Sequence, residues 1–284
     1  MRTVYLGTSE FAATVLEHLA GTPHRPSLVV TRPDAPKGRG RKLAPPAVRV
    51  KAESLGLAVV QPERVNEEEA VARIAEARPE RLLLCAYGAL IKEPLLSRFG
   101  PILNVHPSPL PRWRGAAPVE RAIMAGDAET AVTIMALVAE LDAGPIYVQE
   151  REPIRPEDTY GTLTERLAPL SARLLVRALD EDPEPRAQPQ EGVTYAEKIT
   201  AVDRTLDPEA RPAVELERVV RALTPHIGAR IEVDGELHGV REAAVGAREG
   251  AVNVSTVDGV LALTVVQPPG GRPMPAADYL RGRR

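Results

Sequence analysis

Short apolar runs alternate with segments of helical period along the first two hundred residues. Apolar positions that recur every three to four residues predict helices, and continuous or alternating apolar positions predict strands. The continuous run Arg81–Cys85 is typical of a strand buried on both faces. This alternation of strands and helices favours a Rossmann-like, doubly wound, mostly parallel α/β sheet. The predicted strands are residues 3–8, 27–31, 58–60, 81–85, 102–105, 131–137 and 145–150, and the predicted helices are residues 10–20, 48–55, 67–77, 117–125 and 159–179.

The pattern changes in the last third of the chain. A proline-rich polar stretch at residues 180–192 predicts a loop that leads into a linker. A helix is predicted at residues 213–223, and short β runs separated by glycines follow it. That spacing predicts a small OB-like β-barrel. We therefore expect a large domain over residues 1–188, a linker over 189–203 and a small β domain over 204–284.

Composition and charge exclude several classes of protein. The chain has 284 residues, of which 44% are hydrophobic and 26% charged, so it is globular with ample material for a core. It contains no apolar run long enough to cross a bilayer, and its first residues enter a predicted strand without a signal peptide, so we expect a cytoplasmic protein. Cys85 is the only cysteine and the five histidines show no ligand spacing, so we expect neither an intramolecular disulfide nor a metal site.

The first strand-to-helix turn argues against a dinucleotide cofactor. It reads Gly7-Thr8-Ser9-Glu10, and Ser9 stands where the Gly-x-Gly fingerprint needs a glycine for close approach to a pyrophosphate. Glu10 adds negative charge at the position of the phosphates. A nicotinamide oxidoreductase is therefore disfavoured, and Gly7 is expected to serve a tight turn.

The strand at residues 102–105 leads into the most informative segment. Asn104 and His106 lie two residues apart, so their side chains share one face at the carboxyl end of a strand, where open α/β sheets bind ligands. An amide can donate to a developing oxyanion, and an imidazole can move protons near neutral pH. The pair suits attack of an amine on an acyl carbon.

A carboxylate is needed to orient or charge the imidazole, and Asp142 offers one in a Gly/Pro loop between two predicted strands. The spacing does not establish that Asp142 meets His106. A strand-end histidine and a turn-forming aspartate of purely structural function remain the alternative.

Motifs along nearly the whole chain resemble those of the 10-formyltetrahydrofolate-dependent formyltransferases. The central stretch from Asn104 through Gly115 is similar to their N-x-H-x-S-L-L-P-x-[WY]-R-G motif, and Leu141–Pro145 to their L-D-T-G loop. The opening Gly7–Ala12, the basic loop that begins at Thr31, the linker motif at Thr194–Ile199 and the closing stretch Leu261–Met274 also match. The chain departs from the central motif at Pro107 and Pro109, which stiffen a loop expected to line the folate site.

The resemblance implies a reaction and a set of site residues. A formyl group passes from 10-formyltetrahydrofolate, a co-substrate, to the α-amine of methionine esterified to initiator tRNA. Asn104 is expected to hold the oxyanion, His106 to shuttle protons, and Asp142 to hold His106. The residues expected at the folate are Tyr87, Gly88, Ile91, Ser108, Pro109, Leu110 and Pro111.

A basic loop is the expected contact for the acceptor end of the tRNA. Residues 32–51 carry seven basic side chains against the single acid Asp34, a concentration that favours a phosphate partner. The resemblance points to Lys37, Arg39, Arg41 and Lys42, with Arg39 the strongest candidate. Residues 204–284 carry eleven arginines and eleven acids, so charge alone does not mark the C-terminal domain as a tRNA-binding domain. The family also suggests a monomer.

Two other functions remain open. One is an enzyme of the same fold that formylates a small amine, such as glycinamide ribonucleotide or an amino sugar. The other is a non-catalytic RNA-binding protein built on this fold. The basic loop and the C-terminal β domain speak against the first, and the presence of Asn104, His106 and Asp142 speaks against the second.

Overall fold

The predicted strands of the N-terminal part assemble into one seven-stranded sheet in a computed structural model, which describes residues 1–37, 42–233 and 235–282. The elements of this part are β1 (Thr3–Gly7), α1 (Glu10–Ala20), β2 (Leu28–Val30), β3 (Ala35–Lys37), β4 (Lys42–Ala44), α2 (Ala47–Ser54), β5 (Val59–Val60), α3 (Glu68–Glu76), β6 (Arg81–Cys85), α4 (Leu95–Arg98), β7 (Ile102–His106), β8 (Arg114–Gly115), α5 (Pro118–Ala125), β9 (Glu129–Ala136), β10 (Ile146–Pro153) and α6 (Tyr160–Glu181).

The strand order of this sheet is β10-β9-β7-β6-β1-β2-β5. The chain winds outward from β1 through β2 to β5 and then restarts at β6 on the other side of β1. Neighbours from β5 to β7 pair in parallel, while β9 runs antiparallel to β7. The predicted Rossmann-like sheet is therefore confirmed. Its order reverses between β1 and β6, so the ends of the central strands border the crevice in which such sheets bind ligands.

One face of the sheet packs on α3 and on the start of α4. Side chains of β1, β6 and β7 meet Val71, Ile74 and Leu95 in a cluster that excludes water almost completely. Each such buried aliphatic side chain contributes roughly 1.5–3 kcal/mol relative to exposure. This rigid layer fixes the strands whose ends carry the candidate site.

The first turn differs from its expected form. Gly7 does not need a left-handed backbone; instead, a Cβ there would lie 2.7 Å from Tyr5 Cε1 and 3.1 Å from the Cys85 carbonyl oxygen. Gly7 is therefore explained by the close packing of β1 against β6, and a tight turn is not needed to account for it. Ser9 caps α1 by accepting a hydrogen bond from the Ala12 amide.

The basic loop that begins at Thr31 contains the two-stranded hairpin β3–β4. Its strands have three residues each, and Pro36 lies inside the first, so neither gives a readable alternation. The intervening residues 38–41 lie outside the described residues.

The C-terminal elements are β11 (Tyr195–Ala196), α7 (Ala201–Arg204), α8 (Ala213–Leu223), β12 (Ala229–Val233), β13 (Glu236–Val245), β14 (Val252–Thr256), β15 (Gly259–Gln267), β16 (Met274–Pro275) and α9 (Ala276–Arg281). An antiparallel sheet of order β12-β13-β15-β14, with β16 beside β15, curls into a half-barrel. Register shifts in β13 around Glu242 bend that strand. The predicted small OB-like β domain is confirmed.

Two units emerge from the contacts within the chain. The first comprises Met1–Arg114, Ala131–Glu152 and Glu165–Thr194. The second comprises Gly115–Thr130, Pro153–Thr164 and Tyr195–Arg284, and its core forms where Leu216, Val220 and Leu223 of α8 pack on the half-barrel. None of the helices in the described part of the chain has the length and apolar character that crossing a membrane requires.

Candidate active site

Strand β7 places Asn104 and His106 on one face, as the spacing predicts. Asn104 lies opposite Leu84 of β6, and His106 lies opposite Thr133 of β9. Both are nearly buried, with 7% and 5% of their surface exposed. Among the described residues no protein group forms a hydrogen bond with the Asn104 carboxamide, so its NH₂ can donate to a ligand.

His106 lies between two partners. Its Nε2 donates to the Trp113 carbonyl oxygen at 2.8 Å, and because a carbonyl only accepts, Nε2 carries a proton. Its Nδ1 lies 3.7 Å from Asp142 Oδ2. Asp142 lies in the loop 137–145 between β9 and β10 and exposes 12% of its side chain. The structure thus brings His106 and Asp142 together, although two strands and a helix separate them in the sequence.

Three residues in the segments that follow β6, β7 and β9 adopt left-handed backbone conformations, which non-glycine residues rarely take. Ala86 after β6, Trp113 after β7 and Asp142 after β9 have φ of 42°, 65° and 45°. The described chain contains only two other such residues, Arg78 and Asp182. Strained backbone persists where surrounding structure imposes it, and it concentrates at functional sites. Here it marks three segments that carry predicted site residues.

Pro107 and Pro109 fit the loop after β7 without disturbing it. The Ser108 amide donates to the His106 carbonyl at 2.9 Å, and the Leu110 amide donates to the Ser108 carbonyl at 3.0 Å. Each bond closes a three-residue γ-turn with a proline at its centre, and the inverse γ-turn needs a central φ of about −75°, within the range of proline. Thr133 Oγ1 also donates to the Ser108 carbonyl at 2.7 Å. The two departures from the family motif are therefore compatible with an ordered loop.

The predicted folate residues fall into two groups. Pro109, Pro111 and Ile91 are half-buried and Gly88 is exposed, so they present surface to a ligand. Tyr87, Ser108 and Leu110 are buried at 2%, 0% and 4% exposure. The buried three can support the loops and offer backbone groups.

Tyr87 has one unusual feature within this set. Its hydroxyl is buried without a hydrogen-bond partner among the described residues. Burial raises the pKa of Tyr87, and the Arg32 charge opposes that rise. The hydroxyl of Tyr87 is therefore a donor that no described protein group satisfies.

The basic loop is less uniform than its composition indicates. Lys37 ends β3 and exposed Lys42 begins β4, while Arg39 and Arg41 lie outside the described residues. Two of the seven basic side chains belong to α2 and are paired: Arg49 with Asp34 at 2.9 Å, and Lys51 with Glu17 at 2.8 Å. The two positive charges of α2 are therefore balanced by carboxylates, whereas Lys42 at the start of β4 is exposed.

Sequence reasoning missed two contributors to this site. The Trp113 carbonyl binds His106, and backbone groups leave no residue-type signature. Gln188 contacts the loop that carries Asp142, although the proline-rich stretch around it predicted only a connecting loop. Among the described residues, no group of three or more histidine, cysteine, aspartate or glutamate side chains is arranged to hold a metal ion.

Comparison with known proteins defines the class. The formyl transferase family model matches residues 1–179, and the model of the formyl transferase C-terminal domain matches residues 198–284. The chain belongs to the formyl transferase family.

Individual relatives and solved structures show similarity over most of this chain. The methionyl-tRNA formyltransferase of Halorhodospira halophila is 44% identical over all of this chain and 96% of its own length. The fold is shared with the methionyl-tRNA formyltransferase structure from Clostridium thermocellum, at a TM-score of 0.64 and 14% identity over 86% of this chain and 93% of that one. It is also shared with Aquifex aeolicus HypX in complex with tetrahydrofolic acid, at a TM-score of 0.64 and 18% identity over 99% of this chain and 47% of that one.

Proposed function

We propose that this chain transfers the formyl group of 10-formyltetrahydrofolate to the α-amine of methionine carried by initiator tRNA. The observation that carries the proposal is the convergence of His106 and Asp142 beside Asn104 in a family of formyl transferases. The relative from H. halophila, named for this activity, matches the chain from end to end, which favours the tRNA substrate over a small amine.

Asn104 and His106 act on the reacting carbon in this mechanism. The methionine amine attacks the formyl carbon, and the carbonyl electron pair moves to oxygen. The free NH₂ of Asn104 donates to that oxyanion, a contribution of roughly 3–4 kcal/mol where single donors have been removed. His106 delivers its Nε2 proton to N10 as the carbon–N10 bond breaks, and it then takes the proton that the attacking amine releases.

Asp142 and the Trp113 carbonyl prepare His106 for these proton transfers. The Asp142 carboxylate faces Nδ1 and stabilises the imidazolium that forms during the reaction. The Trp113 carbonyl accepts a hydrogen bond from Nε2 and so occupies the place beside the ring where a substrate acceptor would lie. In the proposal, the oxyanion replaces that carbonyl as the partner of Nε2 when both substrates are bound.

Folate binding is assigned to the loops after β6 and β7. Pro109, at the centre of the second γ-turn, and Pro111, which follows that turn, provide one side, and the segment from Tyr87 through Ile91 provides the other. The Tyr87 hydroxyl, buried without a partner among the described residues, and the amides at exposed Gly88 add donors. The tetrahydrofolic acid complex of HypX, a protein of this fold, supports a folate carrier.

The tRNA is assigned to the basic hairpin and the C-terminal unit. Lys37, Arg39, Arg41 and Lys42 meet phosphates of the acceptor end, because phosphate contacts supply most of the affinity of such complexes. We assign residues 1–188 to the catalytic domain, 189–203 to the linker and 204–284 to the tRNA-binding domain. The proposal includes that the enzyme is a cytoplasmic monomer. Sedimentation at working concentration tests its oligomeric state.

A substrate comparison tests the proposal directly. Purified protein is incubated with 10-formyltetrahydrofolate and, in separate reactions, methionyl initiator tRNA, glycinamide ribonucleotide and a nucleotide-linked amino sugar. The expected result is rapid formylation of the methionyl-tRNA alone. Preferred formylation of either small amine would replace the substrate assignment, and RNA binding without any formylation would leave a non-catalytic RNA-binding protein.

A further inference from the structure

A buried pair of side chains holds the loop that carries Asp142. Arg114 Nε and Nη2 both donate to Gln188 Oε1, at 3.1 and 2.8 Å. Gln188 Nε2 in turn donates to the carbonyl oxygens of Asp142 and Gly144, each at 2.8 Å. Arg114 and Gln188 expose 5% and 7% of their surface. The pair therefore spans from the strand β8 to two backbone positions on either side of Ala143.

The four hydrogen bonds use the whole polar end of Gln188. A primary amide has two N–H donors and a carbonyl oxygen that can accept two bonds, and here every one is engaged by protein. No other side chain of similar size offers this combination at neutral charge. Breaking such a buried set leaves the two loop carbonyls and two N–H groups of Arg114 without these partners, although Arg114 Nη1 keeps its contact with Glu140 Oε1 at 3.5 Å. Unpaired buried polar groups cost more than the bonds themselves contribute.

The segment that supplies Gln188 also holds the other partner of His106. Thr194 Oγ1 accepts from the Trp113 amide at 2.9 Å, and the Thr194 carbonyl accepts from the Arg114 amide at 2.9 Å. At its other end Arg186 pairs with Ile146 through two backbone bonds of 2.7 and 2.8 Å. Residues 186–194 are thus hydrogen-bonded both to the segment that contains Trp113 and to the loop that contains Asp142.

We propose that Gln188 is a positioning residue for formyl transfer: together with Arg114 it holds the loop 137–145 so that the Asp142 carboxylate faces His106. The inference rests on the proposed function, since it assigns Gln188 a role through the Asp142–His106 pair. Among the described residues, Gln188 forms no hydrogen bond with Asn104 or His106; its partners are Arg114, Met135 Sδ and the two loop carbonyls. Its replacement should therefore affect the rate of the chemical step and leave substrate affinity nearly unchanged.

Gln188→Glu is the sharpest variant. The carboxylate keeps an acceptor for Arg114 but has no N–H for the two loop carbonyls and repels them. A displacement of the loop by about 1 Å is expected to lower kcat by about 100-fold, with KM for both substrates within about twofold of wild type. Gln190→Glu, an exposed glutamine two residues along the same segment, is the matched control and should retain wild-type kcat.

A double-mutant comparison separates positioning from general structural damage. If Gln188 acts through Asp142, adding Gln188→Glu to Asp142→Asn should lower kcat no further than Asp142→Asn alone. Losses that multiply, or a rise in KM without a fall in kcat, would overturn the inference. Arg114→Lys, which cannot donate twice to Gln188 Oε1, provides the same comparison if Gln188→Glu does not fold.

The outcomes also distinguish this inference from the proposed function. Asp142→Asn with wild-type kcat would refute the catalytic assignment itself. A slow Asp142→Asn enzyme beside a fully active Gln188→Glu enzyme would refute only the positioning role.

Discussion

Gly144 offers a sharp test of how tightly the Asp142 loop is built. A Cβ at this position would overlap the Ala136 carbonyl oxygen and lie 2.9 Å from the Ala136 carbonyl carbon, where ordinary contact begins at 3.4 Å. Gly144→Ala therefore forces that carbon to move by at least about 0.5 Å, and the oxygen by more. The displacement strains the bond from the Ala136 amide to the Pro145 carbonyl, now 2.9 Å, and shifts the loop two residues from Asp142.

The expected consequence is a loss of both stability and rate. Overpacking at a closely packed position costs about 1–3 kcal/mol of unfolding free energy. Displacing Asp142 by a fraction of an ångström to 1 Å is expected to slow formyl transfer by about tenfold to a hundredfold. Urea unfolding and single-turnover formylation measure the two effects. Gly259→Ala is the control and should change neither, because a Cβ added at Gly259 would have no atom within 4 Å and the backbone there has no positive φ. A Gly144→Ala enzyme with wild-type stability and rate would refute this account of the loop.

Two further predictions concern charge. Arg39→Ala should weaken the use of methionyl initiator tRNA and reduce the slope of log affinity against log salt by about one unit. Lys51→Ala is the control and should leave the slope unchanged, because the Lys51 ammonium is already paired with Glu17. Equal slopes for both variants would contradict the assignment of Arg39 to the tRNA. Although partial burial opposes ionisation, Arg121 and Thr200 lower the pKa of Asp203 to about 2. An aspartate with a lowered folded-state pKa stabilises the fold above its ordinary pKa of about 3.9, and this stabilisation is lost as pH falls through 2. Asp203→Asn should therefore cost about 1–2 kcal/mol of unfolding free energy at pH 7 and almost nothing near pH 2. A cost that does not change with pH in denaturant unfolding would rule this out.

The main sheet could be predicted because its elements are locally encoded. The helix predicted at residues 10–20 is α1 at Glu10–Ala20, and the buried strand predicted at 81–85 is β6. A long periodic or apolar segment contains enough positions to identify its structure. The hairpin β3–β4 and the short helix α9 contain too few, and their conformations depend on tertiary neighbours.

The candidate site divides in the same way. The shared face of Asn104 and His106 follows from strand geometry alone, and the structure places both as predicted. The approach of Asp142 to His106 depends on a loop fixed by the close contact of Gly144 with Ala136 and by Gln188, which lies 46 residues from Asp142 in the sequence. Family resemblance supplied that pairing in advance, whereas spacing could not. The contribution of Gln188 could not be predicted from the sequence, because a single glutamine among prolines is typical of a solvent-exposed linker.

The most direct test of the central claim is the single-turnover rate of formyl transfer by Asn104→Ala with both substrates saturating. The Asn104 carboxamide has no hydrogen-bond partner among the described residues, so its removal should leave the melting temperature nearly unchanged. Loss of an oxyanion donor predicts a rate about 10²- to 10³-fold below wild type. A variant that transfers the formyl group at nearly the wild-type rate would contradict the claim that Asn104 stabilises the charge formed on the formyl oxygen.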